Sequence, residues 1–239
     1  MAAENQEPEE HEQFTRARQA VESLDGPQII ALAIAELGSA NLALVSSFGA
    51  EAAVLLSLVA EVDPQIAVLF LETHKHFPET LDYRDRLVAR LGLRNLRIIE
   101  PEAAEIAQHD PTGMVWKTSP DRCCELRKVM PLERVLAEYR GWFNGRKRYQ
   151  STTRAAIPKL ELDGSRFKFN PLADWDRERI AQEFARRDLP HHPLEAYGYL
   201  SIGCAPCTRA VEAGSVPRAG RWATADAATP LKLECGIHH

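Results

Sequence analysis

The chain has no apolar run approaching the roughly 20 residues that cross a bilayer as a helix. Its N-terminus carries neither the basic n-region nor the apolar core of a secretory signal. Together these absences predict no membrane attachment and a cytoplasmic setting, where thiols stay reduced. Excess positive charge is missing too: 29 lysines and arginines face 34 aspartates and glutamates, a net charge of -5 that argues against general nucleic-acid binding. Cysteine is scarce, with five in 239 residues, so the placement of each is informative. With 45% hydrophobic and 26% charged residues, the chain is expected to bury one substantial core as a soluble globular domain with appendages.

Residues 1–12 are polar and acidic and read as a disordered leader. Residues 13–212 read as one α/β domain, opening with helices near Phe14 to Leu24 and Pro27 to Leu37. Leu42 to Ser47 is a short apolar run ending in small residues, and Ala50 to Val62 is helical in pattern. Ile66 to Leu71 reads as a second buried strand, Pro78 to Leu91 as an amphipathic helix and Leu96 to Ile99 as a third strand. Strands alternating with helices predict a mainly parallel sheet with helices on both faces, which binds ligands at the carboxyl ends of its strands.

The first such end is Ser46-Ser47-Phe48-Gly49-Ala50-Glu51, whose small residues would expose N–H groups at a helix start, suiting a phosphate or sulfate. It also reads as an ordinary strand-to-helix turn. The second end, Leu71-Glu72-Thr73-His74-Lys75-His76-Phe77-Pro78, gathers two histidines and a lysine before a helix that Pro78 opens. Taken alone, those histidines read as solvated loop residues.

Cys123 and Cys124 follow Ser119-Pro120, a cap and first-turn pair that sets both thiols near a helix N-terminus. Arg127 and Lys128 stand four residues beyond them, which on an α-helix shares their face. Cys204-Ala205-Pro206-Cys207 lies in a turn-rich segment able to present two sulfurs to one metal. Four thiolates suit a tetrahedral zinc or a [4Fe-4S] cluster, and an adjacent Cys-Cys pair is an awkward zinc half-site, which favours iron and sulfide. The fifth, Cys235, is left free to act as a nucleophile, on a Gly-, Pro-, Ala- and Thr-rich tail (213–239) that reads as mobile. Basic segments at Gly145 to Arg154 and Pro217 to Trp222 carry arginine forks suited to oxyanions; each alone also reads as a solvated face.

These motifs, in this order from Leu42 to His239, resemble the assimilatory sulfonucleotide reductases, and within them the iron-sulfur adenylyl-sulfate (APS) reductases that use thioredoxin. The resemblance rests on Ser46 to Glu51, Lys75-His76-Phe77-Pro78-Glu79-Thr80, Cys123-Cys124 with Arg127-Lys128, Gly145 to Gln150, Cys204-Ala-Pro-Cys207, Arg218-Ala-Gly-Arg221-Trp222 and Glu234-Cys235-Gly236-Ile237-His238. It implies an adenine nucleotide alpha hydrolase-like α/β fold and a [4Fe-4S] cluster on Cys123, Cys124, Cys204 and Cys207. It further implies that Cys235 is sulfonated by APS and then relieved by thioredoxin, with Lys128 and His238 beside the chemistry. Ser46, Ser47, Phe48, Gly49, Glu51 and Thr73 would contact the nucleotide, and Arg146, Arg148, Arg154, Arg218 and Arg221 its phosphate and sulfate oxygens. A homo-oligomer is expected on the same ground.

One departure stands out: Glu72-Thr73-His74 replaces the family's usual Asp-Thr-Gly, and His74 lacks glycine's backbone freedom, so loop geometry or nucleotide affinity is expected to differ. Two other readings stay open. One is a reductase of 3'-phosphoadenylyl sulfate (PAPS) or of both substrates; the other is a zinc-stabilised nucleotide-binding regulator without catalysis. An adenylating ATPase of similar fold is disfavoured, because the first loop lacks the Ser-Gly-Gly-x-Asp-Ser type of sequence such enzymes use.

Overall fold

The computed structural model describes residues 6–212, 214–222 and 234–237 of the protein, with side chains described from residue 11 onward. Helices α1 (Gln6–Val21) and α2 (Gly26–Leu37) lead into β1 (Leu42–Val45), followed by α3 (Ala52–Val62), β2 (Ala67–Leu71), α4 (Pro78–Leu91) and β3 (Leu96–Ile99). Three short helices come next: α5 (Ala103–His109), α6 (Val115–Thr118) and α7 (Pro120–Cys124). A π-helical turn over Glu125–Val129 joins α7 to α8 (Met130–Leu136), and β4 (Gly141–Phe143), β5 (Leu160–Asp163), β6 (Arg166–Phe169) and α9 (Arg177–Arg186) complete the domain. Among the described residues no helix is long and apolar enough to cross a membrane.

Local chemistry sets these boundaries. Gln28 Oε1 accepts the Asp25 N–H at 2.8 Å as half of a capping box at the start of α2. Pro78 opens α4, and Gly92, left-handed at φ 64°, closes it. Helix α1 begins earlier than the acidic composition suggests: residues 6–12 are helical, continuous with a segment whose Phe14, Ala17 and Val21 enter the core. Tertiary burial of that face extends the helix into the polar stretch. The first five residues of the expected leader lie outside the described residues, as do 213, 223–233 and 238–239 of the expected tail.

The strands form one six-stranded sheet in the order β3-β2-β1-β4-β6-β5, all parallel except β5, which runs against β6. Side chains alternate faces along a strand, and here both faces are covered. Leu42, Leu44, Val68 and Phe70 join the core beneath α1 to α4 and α9, while Ala43, Ala67, Leu69 and Leu71 meet Leu132, Val135 and Leu136 of α8. From β1 the chain crosses outward to β2 and β3, then returns to β4 on the other side of β1. Their carboxyl ends therefore diverge and open a crevice between them.

Near that crevice His192 is buried and neutral. It accepts the Leu194 N–H on Nδ1 at 3.2 Å, which leaves Nε2 to carry the proton toward Thr80 Oγ1, 3.0 Å away. Burial depresses its pKa from 6.5 to about 4, with Glu79 opposing and Arg86 assisting. A histidine depressed in the folded state stabilises the protein fully above pH 6.5, and that stability is lost as pH falls toward 4. The loss should reach about 2 kcal/mol by pH 5. Urea midpoints at pH 7 and 5 should fall further for the parent than for His192→Gln; equal falls would remove His192 from the account.

Candidate active site

At the end of β1 the chain turns through Ser46 to Glu51 into α3. Ser46 Oγ accepts the Phe48 N–H at 3.2 Å, and Phe48 itself is left-handed, at φ 48°. Its ring is fully buried, edge-on to Phe70 at 5.7 Å, so it belongs to the core and not to the cavity, contrary to the sequence expectation. An apolar ring on this turn gains more from burial than from facing a polar ligand site. A Cβ on Gly49 would come within 3.0 Å of the Ile202 carbonyl oxygen, so glycine is what lets the 202–203 segment rest on this loop.

Glu51 ties the loop to the basic segment beyond β4. Lys147 Nζ donates to its Oε2 at 2.8 Å and Gln150 Nε2 at 2.9 Å, while Tyr149 donates to Oε1. Burial works against the Glu51 charge, but Lys147 and the two hydrogen-bonding partners outweigh it and hold the carboxyl below its usual range. Arg146 turns away from this cluster to Glu161 and Asn170.

One cavity at the mouth of the sheet collects most of the expected residues. Ser46, Ser47, Gly49, Glu51, Lys128, Arg146, Arg154, Arg218, Arg221 and Cys235 all line it. Arg148 does not: its guanidinium pairs with Asp174 and donates to the Ile157 carbonyl at 2.9 Å, because the short turn at Arg148–Gln150 points it away from the sheet mouth. Thr73 is displaced as well, since its Oγ1 lies 3.3 Å from Cys204 Sγ, in a second and smaller chamber. His238 lies outside the described residues. Asn144 lines the main cavity and was not anticipated; a polar residue directly after the apolar Gly141–Phe143 strand is the signal that marks it.

The smaller chamber is lined by Cys123, Cys124, Cys204 and Cys207, with Lys75, Arg127, Lys128 and Arg221 among them. All five cysteines are free thiols, and among the described residues no three His, Cys, Asp or Glu side chains close on a single-ion position. Burial, then the neighbouring sulfurs of Cys124 and Cys204, push Cys123 up to about 11. Burial also opposes the Cys204 thiolate, yet Lys128, Thr73 and Arg221 outweigh it and bring that thiol down. The Nε atoms of Arg127 and Arg221 are buried without an acceptor. Four sulfurs ringed by cations, with guanidinium hydrogens unanswered, fit a thiolate-bound anionic group such as an iron-sulfur cluster.

The π-helical turn carries two adjacent cations with different partners. Its wider turn, with hydrogen bonds five residues apart, sends Arg127 to Asp110 Oδ2 at 2.7 Å and to the Thr73 carbonyl at 3.0 Å. Lys128 instead reaches the main cavity. Burial disfavours its charge, but the sulfurs of Cys204, Cys235 and Cys124 outweigh that and raise its pKa. Lys128, Arg221 and Trp222 are the residues that border both chambers. Trp222, left-handed at φ 50°, donates its N–H to the Cys207 carbonyl at 3.0 Å and lies under the guanidiniums of Arg221 (4.4 Å) and Arg218 (5.2 Å). A side chain on Gly203 would overlap the Arg221 guanidinium. Burial and the like charge of Arg154 bring Arg218 down to about 10.

His74 takes up a backbone conformation that glycine adopts freely. It is left-handed at φ 56°, its N–H donates to Glu72 Oε1 at 2.6 Å, and its ring points outward toward Glu100. A side chain in that region costs about 1 kcal/mol.

A family model described as the phosphoadenosine phosphosulfate reductase domain matches residues 41–210. The chain belongs to the PAPS/APS reductase family. A Mesorhizobium japonicum protein named adenosine 5'-phosphosulfate reductase is 50% identical over 211 residues, covering 88% of this chain and 81% of its own. A Gloeobacter violaceus protein named phosphoadenosine 5'-phosphosulfate reductase is 40% identical over 222 residues, covering 91% and 90%. The crystal structure of a PAPS reductase from Candida auris, as a phosphate complex, shares the fold at TM-score 0.70 and 24% identity, covering 82% of this chain and 96% of that one. The protein is thus an oxidoreductase acting on a sulfur group.

In this reductase the Glu51–Lys147 pair is what holds the first loop to the basic segment. Lys147→Met should destabilise it by about 2 kcal/mol, because a half-buried carboxylate loses its cation. Lys147→Met with Glu51→Gln should regain part of that in denaturant unfolding. Unchanged stability of Lys147→Met would overturn the clamp.

Proposed function

We propose that this chain reduces APS to sulfite and AMP, with Cys235 as nucleophile and a thioredoxin dithiol as reductant. The observation that carries the reading is that Cys235 lines the same cavity as the Ser46 to Glu51 loop, Lys128, Arg154, Arg218 and Arg221. Relatives 50% and 48% identical that are named adenosine 5'-phosphosulfate reductase support the choice of substrate.

The Cys235 thiolate attacks the sulfur of bound APS. The S–O bond to the phosphate breaks, its electron pair leaves with AMP, and Cys235 becomes S-sulfocysteine. A thioredoxin thiolate then attacks the Cys235 sulfur; sulfite departs with the bonding pair, and a mixed disulfide forms. The second thioredoxin thiol displaces Cys235 as thiolate and leaves oxidised thioredoxin. Both the nucleophile and the substrate are anionic, so Lys128 and the three arginines offset repulsion and the charge that builds on the leaving phosphate. Ser46, Ser47 and Gly49 hold the nucleotide, and His238 assists the thiol. Cys123, Cys124, Cys204 and Cys207 would hold a [4Fe-4S] cluster, which when bound supplies a compact charged group that fixes the chamber and Lys128. Five free thiols suit a reducing cytoplasm, and the enzyme is proposed to work as a homo-oligomer.

The 40% identical relative named phosphoadenosine 5'-phosphosulfate reductase supports PAPS as the second substrate reading. Comparing kcat/KM for the two nucleotides decides between them. Incubation with radiolabelled APS and no reductant should place label on the parent protein and none on Cys235→Ser. An unlabelled parent, or a labelled Cys235→Ser, would sink the mechanism. Purified protein should be brown and carry about four irons per chain. A colourless zinc protein would remove the cluster.

A further inference from the structure

The arginines assigned to the substrate's oxyanions already hold an anion, and it comes from the protein itself. Glu234, the residue before the nucleophile, takes Arg154 Nε on Oε1 at 2.6 Å and Arg154 Nη2 on Oε2 at 2.7 Å. Arg218 Nη2 approaches Oε2 at 3.4 Å, and Thr153 Oγ1 approaches Oε1 at 3.4 Å. The pair is sheltered, with the Arg154 side chain 9% and the Glu234 side chain 19% exposed. On its other edge Arg154 donates Nη1 to Gln150 Oε1. A forked, parallel pair of N–H···O bonds is the arrangement by which arginine recognises carboxylate and phosphate alike. An oxyanion seeking the Nε–Nη2 edge of Arg154 therefore meets an edge in use.

We infer that Glu234 is a positioning residue that stands in the oxyanion subsite of Arg154 and Arg218 and is exchanged for the phosphate or sulfate of the incoming nucleotide. The inference rests on the proposed reading of the cavity as a nucleotide site. Two anchors bracket Cys235: the Glu234 ion pairs on one side and, on the other, Ile237, packed against the apolar cluster that contains Leu71 and Trp142. Without nucleotide, both anchors hold the thiol at the cavity. With nucleotide, the carboxylate gives up its arginines while the apolar anchor stays, so Cys235 keeps its place near the substrate but gains freedom to align with it. The exchange also keeps an opposite charge beside the arginine pair in both states, which two close guanidiniums under partial burial require.

The test uses the full-length protein with AMP, which carries the phosphate but has no sulfate to transfer, and adenosine, which has neither. Dissociation constants are measured by calorimetry for the parent, Glu234→Gln, Glu234→Ala and Glu234→Asp, with thermal unfolding as a check that each folds. Glu234→Gln and Glu234→Ala should bind AMP about tenfold more tightly, a difference of about 1.4 kcal/mol. Glu234→Asp should track the parent, and adenosine affinity should not change. A merely structural glutamate would weaken AMP binding when removed or leave it alone, and either result overturns the exchange while leaving the nucleotide site intact. An equal gain for adenosine overturns it too. If the parent and all variants bind no AMP, the nucleotide reading fails and the exchange falls with it.

Discussion

Positive charge buried at the mouth of the sheet is the constraint around which the site is organised. Lys128, Arg154, Arg218 and Arg221 line one cavity at the carboxyl ends of β1 and β4, a place from which water is partly excluded and where like charges repel strongly. The four cations do not share one counterweight. Lys128 faces sulfur on the side of the paired cysteines and of Cys235; Arg154 and Arg218 face Glu234; Arg221 lies across Gly203 and Trp222. Remove the counterweights and the sheet alone could not hold four cations together.

The sheet's contribution is to bring distant segments to that mouth. Because both faces of β1 and β2 are apolar and covered, neither face can be turned to water without loss. The reversal of strand order at β1, with β2 added on one side and the parallel β4 on the other, then sets the Ser46 to Glu51 loop beside the Gly145 to Gln150 segment, and Glu51 with Lys147 locks the two. The fold is thereby tuned by side chains at the edge of its sheet.

Patterns of one or two periods were legible in the sequence. The helix from Pro78 to Leu91 and the strand from Leu96 to Ile99 have the boundaries that proline and the apolar run imply, and the paired cysteines do share a chamber. What escaped was whatever depends on a single dihedral or on a partner far along the chain. Phe48 turned inward, on a left-handed backbone; Arg148 was lost to Asp174, and Arg127 was taken up by Asp110 and the Thr73 carbonyl. Glu234 stood in plain view beside Cys235, yet its role is visible only once Arg154, 80 residues earlier, is placed against it.

The wall between the two chambers is a few side chains thick: Lys128, Arg221 and Trp222 face both ways. So thin a partition, built of two cations and an aromatic ring that attracts cations, does not insulate. The chambers behave as one electrical compartment with two mouths. A change of charge at the paired cysteines is thereby registered where the nucleotide phosphate would lie, and a phosphate there is registered in turn at the sulfurs.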